Sequence, residues 1–217
     1  MEKERICAVV AGGPEEGMPC EPVPENAFIL CADSGLHLAE RLHRSPDLVL
    51  GDFDSLGAVP VHLPHMTVPV EKDDTDTMLA VRTALEKGYR DIRIFGAFGG
   101  RLDHTLANLQ TLEYLRQHGA DGLLCGVRDS ARMLCGGETL RLPARHGWSL
   151  SLFAWSECCT GVCASGVYYP LADGTLTRSF PLGVSNRITA EYAEISCGSG
   201  MLLVMQSCEQ DEYLTAR

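Results

Sequence analysis

The sequence lacks the features that mark several common classes of protein. It has no apolar segment long enough to span a bilayer, and no secretory hydrophobic region follows Met1 to Arg5. It also has no run of lysine and arginine, and 18 basic against 29 acidic residues leave a net charge of −11. Because there is no apolar segment of that kind, we expect a cytoplasmic protein without a membrane partner. Because the negative charge repels a nucleic-acid backbone, we expect no nucleic-acid partner either.

Two common catalytic motifs are also missing. There is no Walker loop, G-x-x-x-x-G-K-[ST], and no G-x-S-x-G nucleophile elbow. The ten cysteines stand mostly in apolar, strand-like runs, which is typical of reduced, buried thiols rather than of a disulfide framework. The one cluster, Cys158, Cys159 and Cys163, contains no C-x-x-C pair and therefore does not predict a zinc site.

What the sequence does have is a change of pattern near residue 135. Before it, short apolar runs alternate with amphipathic helical patterns, and such alternation is typical of a mostly parallel α/β sheet. Strands are predicted at 6–11, 27–32, 48–50, 66–70, 92–96 and 122–127, and helices at 34–43, 75–87 and 103–118. Residues 1–135 are therefore predicted to form a Rossmann-like α/β domain.

After residue 135, strand-like runs are separated by turn residues and no helical pattern lies between them. The runs are 139–142, 148–154, 166–171, 176–180, 192–196 and 201–206. Residues 136–217 are therefore predicted to form an all-β sandwich domain, with the hinge near Cys135-Gly136-Gly137.

Aspartates recur beside glycine, threonine and arginine at four places in the first domain. They are Asp33 in C-A-D-S-G, Asp52 and Asp54 in G-D-F-D-S, Asp73, Asp74 and Asp76 in K-D-D-T-D-T, and Asp103 in G-G-R-L-D-H. Alternate residues of an extended chain share a face, so Asp52 and Asp54 can point into the crevice where open α/β sheets bind ligands. Carboxylates beside glycine-rich turns indicate magnesium-assisted handling of a nucleotide.

Two predicted helix starts carry further candidates. Asp76 and Asp103 each lie at such a start, although helix capping alone would also explain Asp103. Helix N-termini and flexible glycine loops attract phosphate, and basic side chains add charge. The candidate phosphate contacts are Lys72, Thr75, Gly99, Gly100 and Arg101.

In this order and spacing, the motifs resemble those of the bacterial thiamine pyrophosphokinase family nearly from end to end. The segments that carry the resemblance are 32–35, 51–55, 72–76, 99–104, 166–171 and 183–186. The resemblance implies an α/β catalytic domain that binds ATP and Mg²⁺, a β-sandwich domain that binds thiamine, and a homodimer. It also implies transfer of the diphosphoryl group of ATP to the hydroxyl of thiamine, giving thiamine diphosphate and AMP.

The same resemblance assigns roles to individual residues. The magnesium ligands would be Asp52, Asp54, Asp76 and Asp103, the last three being catalytic together with Arg101. Asp33 would contact ATP, and thiamine would meet Ser185, Asn186 and Tyr169. Family members commonly have glycine where Ser34 stands.

Some alternatives stay open at this point. The enzyme could act on another small alcohol, such as a pterin methanol, or the chain could be a non-catalytic sensor of Mg-nucleotide. Either Asp54 or Asp103 could accept the proton of the substrate hydroxyl.

Overall fold

The computed structural model describes residues 5–13, 16–53, 62–67 and 74–209. The chain divides into two compact units, Met1–Val127 and Arg128–Arg217. In its described part, the first unit consists of β1 Ile6–Val10, β2 Phe28–Ala32, α1 Gly35–Arg41, β3 Leu48–Gly51, β4 His65–Thr67, α2 Asp76–Glu86, β5 Asp91–Phe95, α3 Leu102–Gln117 and β6 Asp121–Cys125. Its strands lie in the order β6-β5-β1-β2-β3-β4 and all pair in parallel.

The central strands of this unit are buried on both faces. Ala8 and Val10 of β1 pack in one cluster with Leu38 and Ala39 of α1. Alternation along the strand puts Val9 on the opposite face, and it is fully buried as well. This explains why the strands are apolar throughout, as parallel strands covered on both sides are.

The second unit contains only strands in its described part. They are β7 Asp129–Cys135, β8 Glu138–Pro143, β9 Trp148–Ala154, β10 Cys158–Ser165, β11 Leu171–Thr177, β12 Gly183–Asn186, β13 Tyr192–Cys197 and β14 Met201–Cys208. They pair antiparallel in two groups, β12-β9-β14-β7 and β11-β10-β13-β8. One hydrophobic cluster joins the groups, with Leu150 and Val204 from the first and Val162 and Ile195 from the second.

The predicted mixture of an α/β half and an all-β half is confirmed. The three predicted helices are confirmed with ends shifted by one or two residues, and the strand at 148–154 matches β9. Of the predicted strand 66–70, residues 68–70 lie outside the described residues, and the rest belongs to β4.

Two strand predictions in the second unit are wrong. Residues 166–170 form no strand, since Gly166 has a φ of 72° and Val167 makes only an isolated bridge to Ile188, and Leu171 is already the first residue of β11. The strand expected at 176–180 lies earlier, as β11. The sequence patterns also missed β7, β10 and β12.

The division between the units does not coincide with the expected hinge. Residues 129–135 form β7, which pairs with β14 inside the second unit, and Gly136 and Gly137 turn the chain into β8. The structure divides the chain between Val127 and Arg128 instead. No helix in the described ranges is long and apolar enough to cross a membrane.

Candidate functional site

A cavity of about 480 Å³ opens at the carboxyl ends of β5, β1 and β2. Its walls are residues 11–13, 32–34 and 96–101, which follow these strands, together with residues 74–77 at the start of α2 and His104 and Asn108 of α3. Ligands of open α/β sheets bind at this edge. Six of the predicted site residues line the cavity: Asp33, Thr75, Asp76, Gly99, Gly100 and Arg101.

Two other predicted residues of the first unit, Asp52 and Asp103, are described but do not line the cavity. Asp52 follows β3, whose end adjoins that of β2, because the Asp33 backbone N–H donates to the Leu50 carbonyl at 2.6 Å. Asp103 belongs to the first turn of α3. Asp54 and Lys72 lie outside the described residues.

Glycine is required where the loops after β1 and β5 meet. A Cβ on Gly13 would lie 2.2 Å from the Gly96 carbonyl oxygen, and one on Gly96 would lie 2.5 Å from that of Ala11. Gly96 also has a φ of 70°, which side chains disfavour. The two loops therefore pack backbone against backbone, and they form one wall of the cavity. Sequence reasoning did not single out Gly12 and Gly13, although the Ala-Gly-Gly after an apolar run was a signal for a close backbone approach.

Two residues that follow the neighbouring strands β2 and β3 have unusual backbone conformations. Asp33 follows β2 with a φ of 45°, and Phe53 follows β3 with a φ of 62°. A positive φ is uncommon for aspartate and exceptional for a bulky aromatic residue, and such conformations concentrate at functional sites. Ser34, by contrast, has a φ of −60°, so the position needs no glycine.

The two helix starts are built differently. At α2, the Thr75 hydroxyl accepts a hydrogen bond from the Met78 backbone N–H at 3.1 Å, so Thr75 is the N-cap and Asp76 follows in the first turn. Asp74 is held by Arg82 at 2.5 Å. Asp76 lies on the cavity wall. The carboxylate of the nearby Asp74 is already paired with Arg82.

At α3, the N-cap is Arg101 and not Asp103. The Arg101 guanidinium donates to both carboxylate oxygens of Asp103, and the His104 backbone N–H donates to one of them. The hydrogen bond from Arg101 is the main cause that lowers the pKa of Asp103 below its ordinary value. Asp103 is therefore not the N-cap, but its carboxylate accepts from a backbone N–H of the first turn as well as pairing with Arg101.

The predicted magnesium ligands are not brought together among the residues that the structure describes. Within the described ranges, no group of three or more aspartate, glutamate, histidine and cysteine side chains is arranged to hold a metal ion. Of the four predicted ligands, Asp76 lines the cavity, Asp103 is bound to Arg101, and Asp54 lies outside the described residues.

The predicted thiamine contacts come together in the second unit. Asn186 is 8% exposed, and its side chain donates to the Tyr169 carbonyl at 2.7 Å and accepts from the Tyr169 backbone N–H at 3.0 Å. The Ser185 backbone N–H donates to Ser151 Oγ at 3.2 Å. Asn186 therefore holds the backbone in place, whereas the Tyr169 ring is 63% exposed and available to a ligand.

Comparisons with known proteins match both parts of the chain. The family model for "Thiamin pyrophosphokinase, catalytic domain" matches residues 22–122, and that for "Thiamin pyrophosphokinase, vitamin B1 binding domain" matches residues 139–202. The thiamine pyrophosphokinase of Bacillus subtilis (strain 168) is 28% identical, over 93% of this chain and 98% of that protein.

Solved structures agree with these matches. The crystal structure of thiamine pyrophosphokinase from Bacillus subtilis superposes with a TM-score of 0.86 at 26% identity, covering 95% of this chain and 100% of that one. The crystal structure of the enzyme from Geobacillus thermodenitrificans gives a TM-score of 0.81 at 26% identity, covering 95% and 99%.

Proposed function

The chain belongs to the thiamine pyrophosphokinase family, and on that basis we propose that it transfers the diphosphoryl group of ATP to the hydroxyl of thiamine. The products are thiamine diphosphate and AMP. One observation carries the proposal: the catalytic and vitamin B1 binding domains of this family both match the chain, in that order. A sensor of Mg-nucleotide needs no acceptor domain, and an enzyme for a pterin methanol needs a different one, so neither alternative is favoured.

We place the triphosphate of ATP in the cavity of the first unit, the Rossmann-like domain. The Gly99-Gly100 loop and the N-terminus of α3 supply backbone N–H groups, and Arg101 supplies a charged donor fork. Asp33 borders the same cavity, and we propose Lys72 as a source of further positive charge. These groups would orient the β-phosphorus for in-line attack and balance the charge that develops there.

Mg²⁺ fits the donor chemistry of this cavity, because hard cations prefer carboxylate oxygens and Asp33 and Asp76 both border it. We propose Asp52, Asp54, Asp76 and Asp103 as its ligands. When bound, the ion would neutralise charge on the phosphate oxygens. Asp103 can serve only if its pair with Arg101 opens, and that pair is exposed and therefore weak.

The lowered pKa of Asp103 also bears on proton transfer. A carboxylate whose pKa lies below its ordinary range holds a proton poorly, so it is a weak general base. We therefore propose that Asp103 acts through its charge, orienting Arg101 or the metal ion. The hydroxyl proton of thiamine then passes to another acceptor, for which Asp54 remains the candidate.

We place thiamine against the second unit, the β-sandwich domain. The exposed Tyr169 ring can face the cationic thiazolium, with Ser185 beside it. We further propose a cytoplasmic homodimer whose protomers share each site; sedimentation of the purified protein at the mass of one chain would contradict the dimer.

The test of the function uses purified protein with ATP, Mg²⁺ and thiamine. AMP and thiamine diphosphate should accumulate in equal amounts, and neither should form when thiamine is omitted. A reaction in which a pterin methanol replaces thiamine serves as the control for acceptor choice. Release of ADP instead of AMP, or turnover with the pterin alone, would contradict the proposal.

A further inference from the structure

The loop that joins β5 to α3, residues 96–100, is fixed at its first two residues. The Gly96 backbone N–H donates to the Cys125 carbonyl at 3.1 Å. The Asn108 side-chain amide donates to the Ala97 carbonyl at 2.7 Å. Asn108 lies on α3, so this second hydrogen bond ties the loop to the helix that follows it.

The bond between Asn108 and Ala97 is buried. Asn108 is 9% exposed, and Ala97 and Phe98 are buried beside it. Removing the amide would therefore leave the Ala97 carbonyl without its protein donor, at the cost of a poorly solvated polar group. The hydrogen bond therefore holds the loop more firmly than one at the surface would.

The rest of the loop depends on this anchor. Gly99 and Gly100 have φ values of 86° and 66°, and glycine gives the backbone little resistance to other conformations. Both glycines line the cavity, as do Arg101 and Asn108 itself. A shift of Ala97 would be passed directly to the groups that face the ligand.

We propose that Asn108 is a positioning residue that sets the affinity of the cavity for the triphosphate of ATP. It acts through the Ala97 carbonyl, by holding the Gly99-Gly100 backbone in the geometry that receives phosphate. A loop that is already ordered loses little conformational entropy when phosphate binds, and this favours tighter binding. This inference rests on the proposed function, because it takes ATP as the occupant of the cavity.

The test compares Asn108→Ala and Asn108→Leu with Thr111→Val. Leucine keeps the branched shape and the number of heavy atoms of asparagine but lacks the donor, and it serves as a second variant should the alanine substitution fail to fold. Thr111 is the matched control, because it is buried on the same helix and donates to the Ala107 carbonyl at 3.0 Å, yet it does not line the cavity. Each of the three changes removes one hydrogen bond from a side chain of α3 to a backbone carbonyl.

ATP binding is measured by calorimetry without thiamine, alongside the KM values of both substrates and the Tm. Both Asn108 variants should weaken ATP binding roughly tenfold or more and leave the KM for thiamine within about twofold. Thr111→Val should lower the Tm without changing ATP binding. An Asn108 variant that folds and binds ATP like the wild type, or a Thr111→Val variant with the same loss, would overturn the inference. No ATP binding by the wild type would overturn the proposed function, and this inference with it.

Discussion

The Arg101 guanidinium donates two hydrogen bonds to the Asp103 carboxylate, from Nε to Oδ1 at 3.1 Å and from Nη2 to Oδ2 at 2.6 Å. One of these residues is predicted to bind phosphate and the other to bind Mg²⁺. Without ligands they satisfy each other, while both side chains remain largely exposed. Because exposed ion pairs are weak, a polyphosphate can bind Arg101 and its metal ion can bind Asp103 in place of this pair. We therefore expect this pair to open when substrate and metal ion bind.

Arg101→Lys should lower kcat/KM for ATP roughly ten- to a hundredfold, because lysine keeps the charge but loses the planar donor fork. Steady-state kinetics with thiamine at saturation would measure the change. Arg90→Lys is the matched control, since Arg90 is an exposed arginine that contacts backbone carbonyls of residues 85 and 89 outside the cavity. Equal losses in both variants would contradict the role of Arg101.

Asp103→Asn should reduce kcat without altering the shape of the pH profile. The pKa of Asp103 is lowered by Arg101, so its carboxylate is ionised throughout the neutral range and does not titrate there. Rates measured from about pH 6 to pH 9 would show the profile. If the loss disappears as the pH rises, Asp103 is the general base after all, and the assignment of its role above is wrong.

Asp76→Asn and Asp54→Asn should each abolish turnover with the fold intact, because an amide has the shape of a carboxylate but is a weak ligand for a hard cation. Turnover is followed over a range of Mg²⁺ concentrations, and circular dichroism checks the fold. Asp91→Asn is the control, since Asp91 pairs with Arg93 on β5, away from the cavity. Full activity of either test variant at saturating Mg²⁺ would remove it from the metal site.

The sequence predicted the first unit better than the second, for physical reasons. Its helices are predicted by an apolar stripe and by capping residues at their ends, such as Thr75 at the start of α2. Strand β10 gives no such signal, because it combines three cysteines with a glycine at position 161. Strand β12 is short and three of its four residues are not buried, so its sequence carries little hydrophobic pattern.

The candidate site, like the fold, could be predicted from the sequence only in part. Local motifs placed Asp33, Asp76 and Arg101 at the sheet edge, because each follows a strand or begins a helix. The close approach of Gly13 to Gly96 joins residues far apart in the sequence, so no local pattern contains it. The pairing of Arg101 with Asp103 depends on side-chain rotamers, which a motif does not specify.

The buried thiols predict how stability depends on alkaline pH. Burial is the main cause that raises the pKa of both Cys7 and Cys31 to about 12, from an ordinary value of 9.0. Above the ordinary value the unfolded chain releases these protons while the folded protein keeps them. The stabilisation is therefore complete below pH 9.0 and is lost progressively as the pH rises towards 12.

Urea unfolding between pH 9 and pH 11 would measure this loss. The double variant Cys7→Ala, Cys31→Ala should show a shallower decline of the unfolding free energy over the same range, since it has no such protons to release. Parallel curves for the two proteins would show that other groups cause the alkaline loss.

Tyr169→Ala should raise the KM for thiamine roughly tenfold and leave the KM for ATP and the Tm unchanged, because the ring is exposed and is proposed to contact thiamine. Asn186→Ala should behave differently, since its amide holds the Tyr169 backbone from both sides. That variant should lose thermal stability as well as thiamine affinity. Phe180→Ala is the control for removing an exposed aromatic ring elsewhere in the same unit. If Tyr169→Ala weakens ATP binding as much as thiamine binding, or if Phe180→Ala has the same effect on thiamine, the second unit does not hold thiamine through Tyr169.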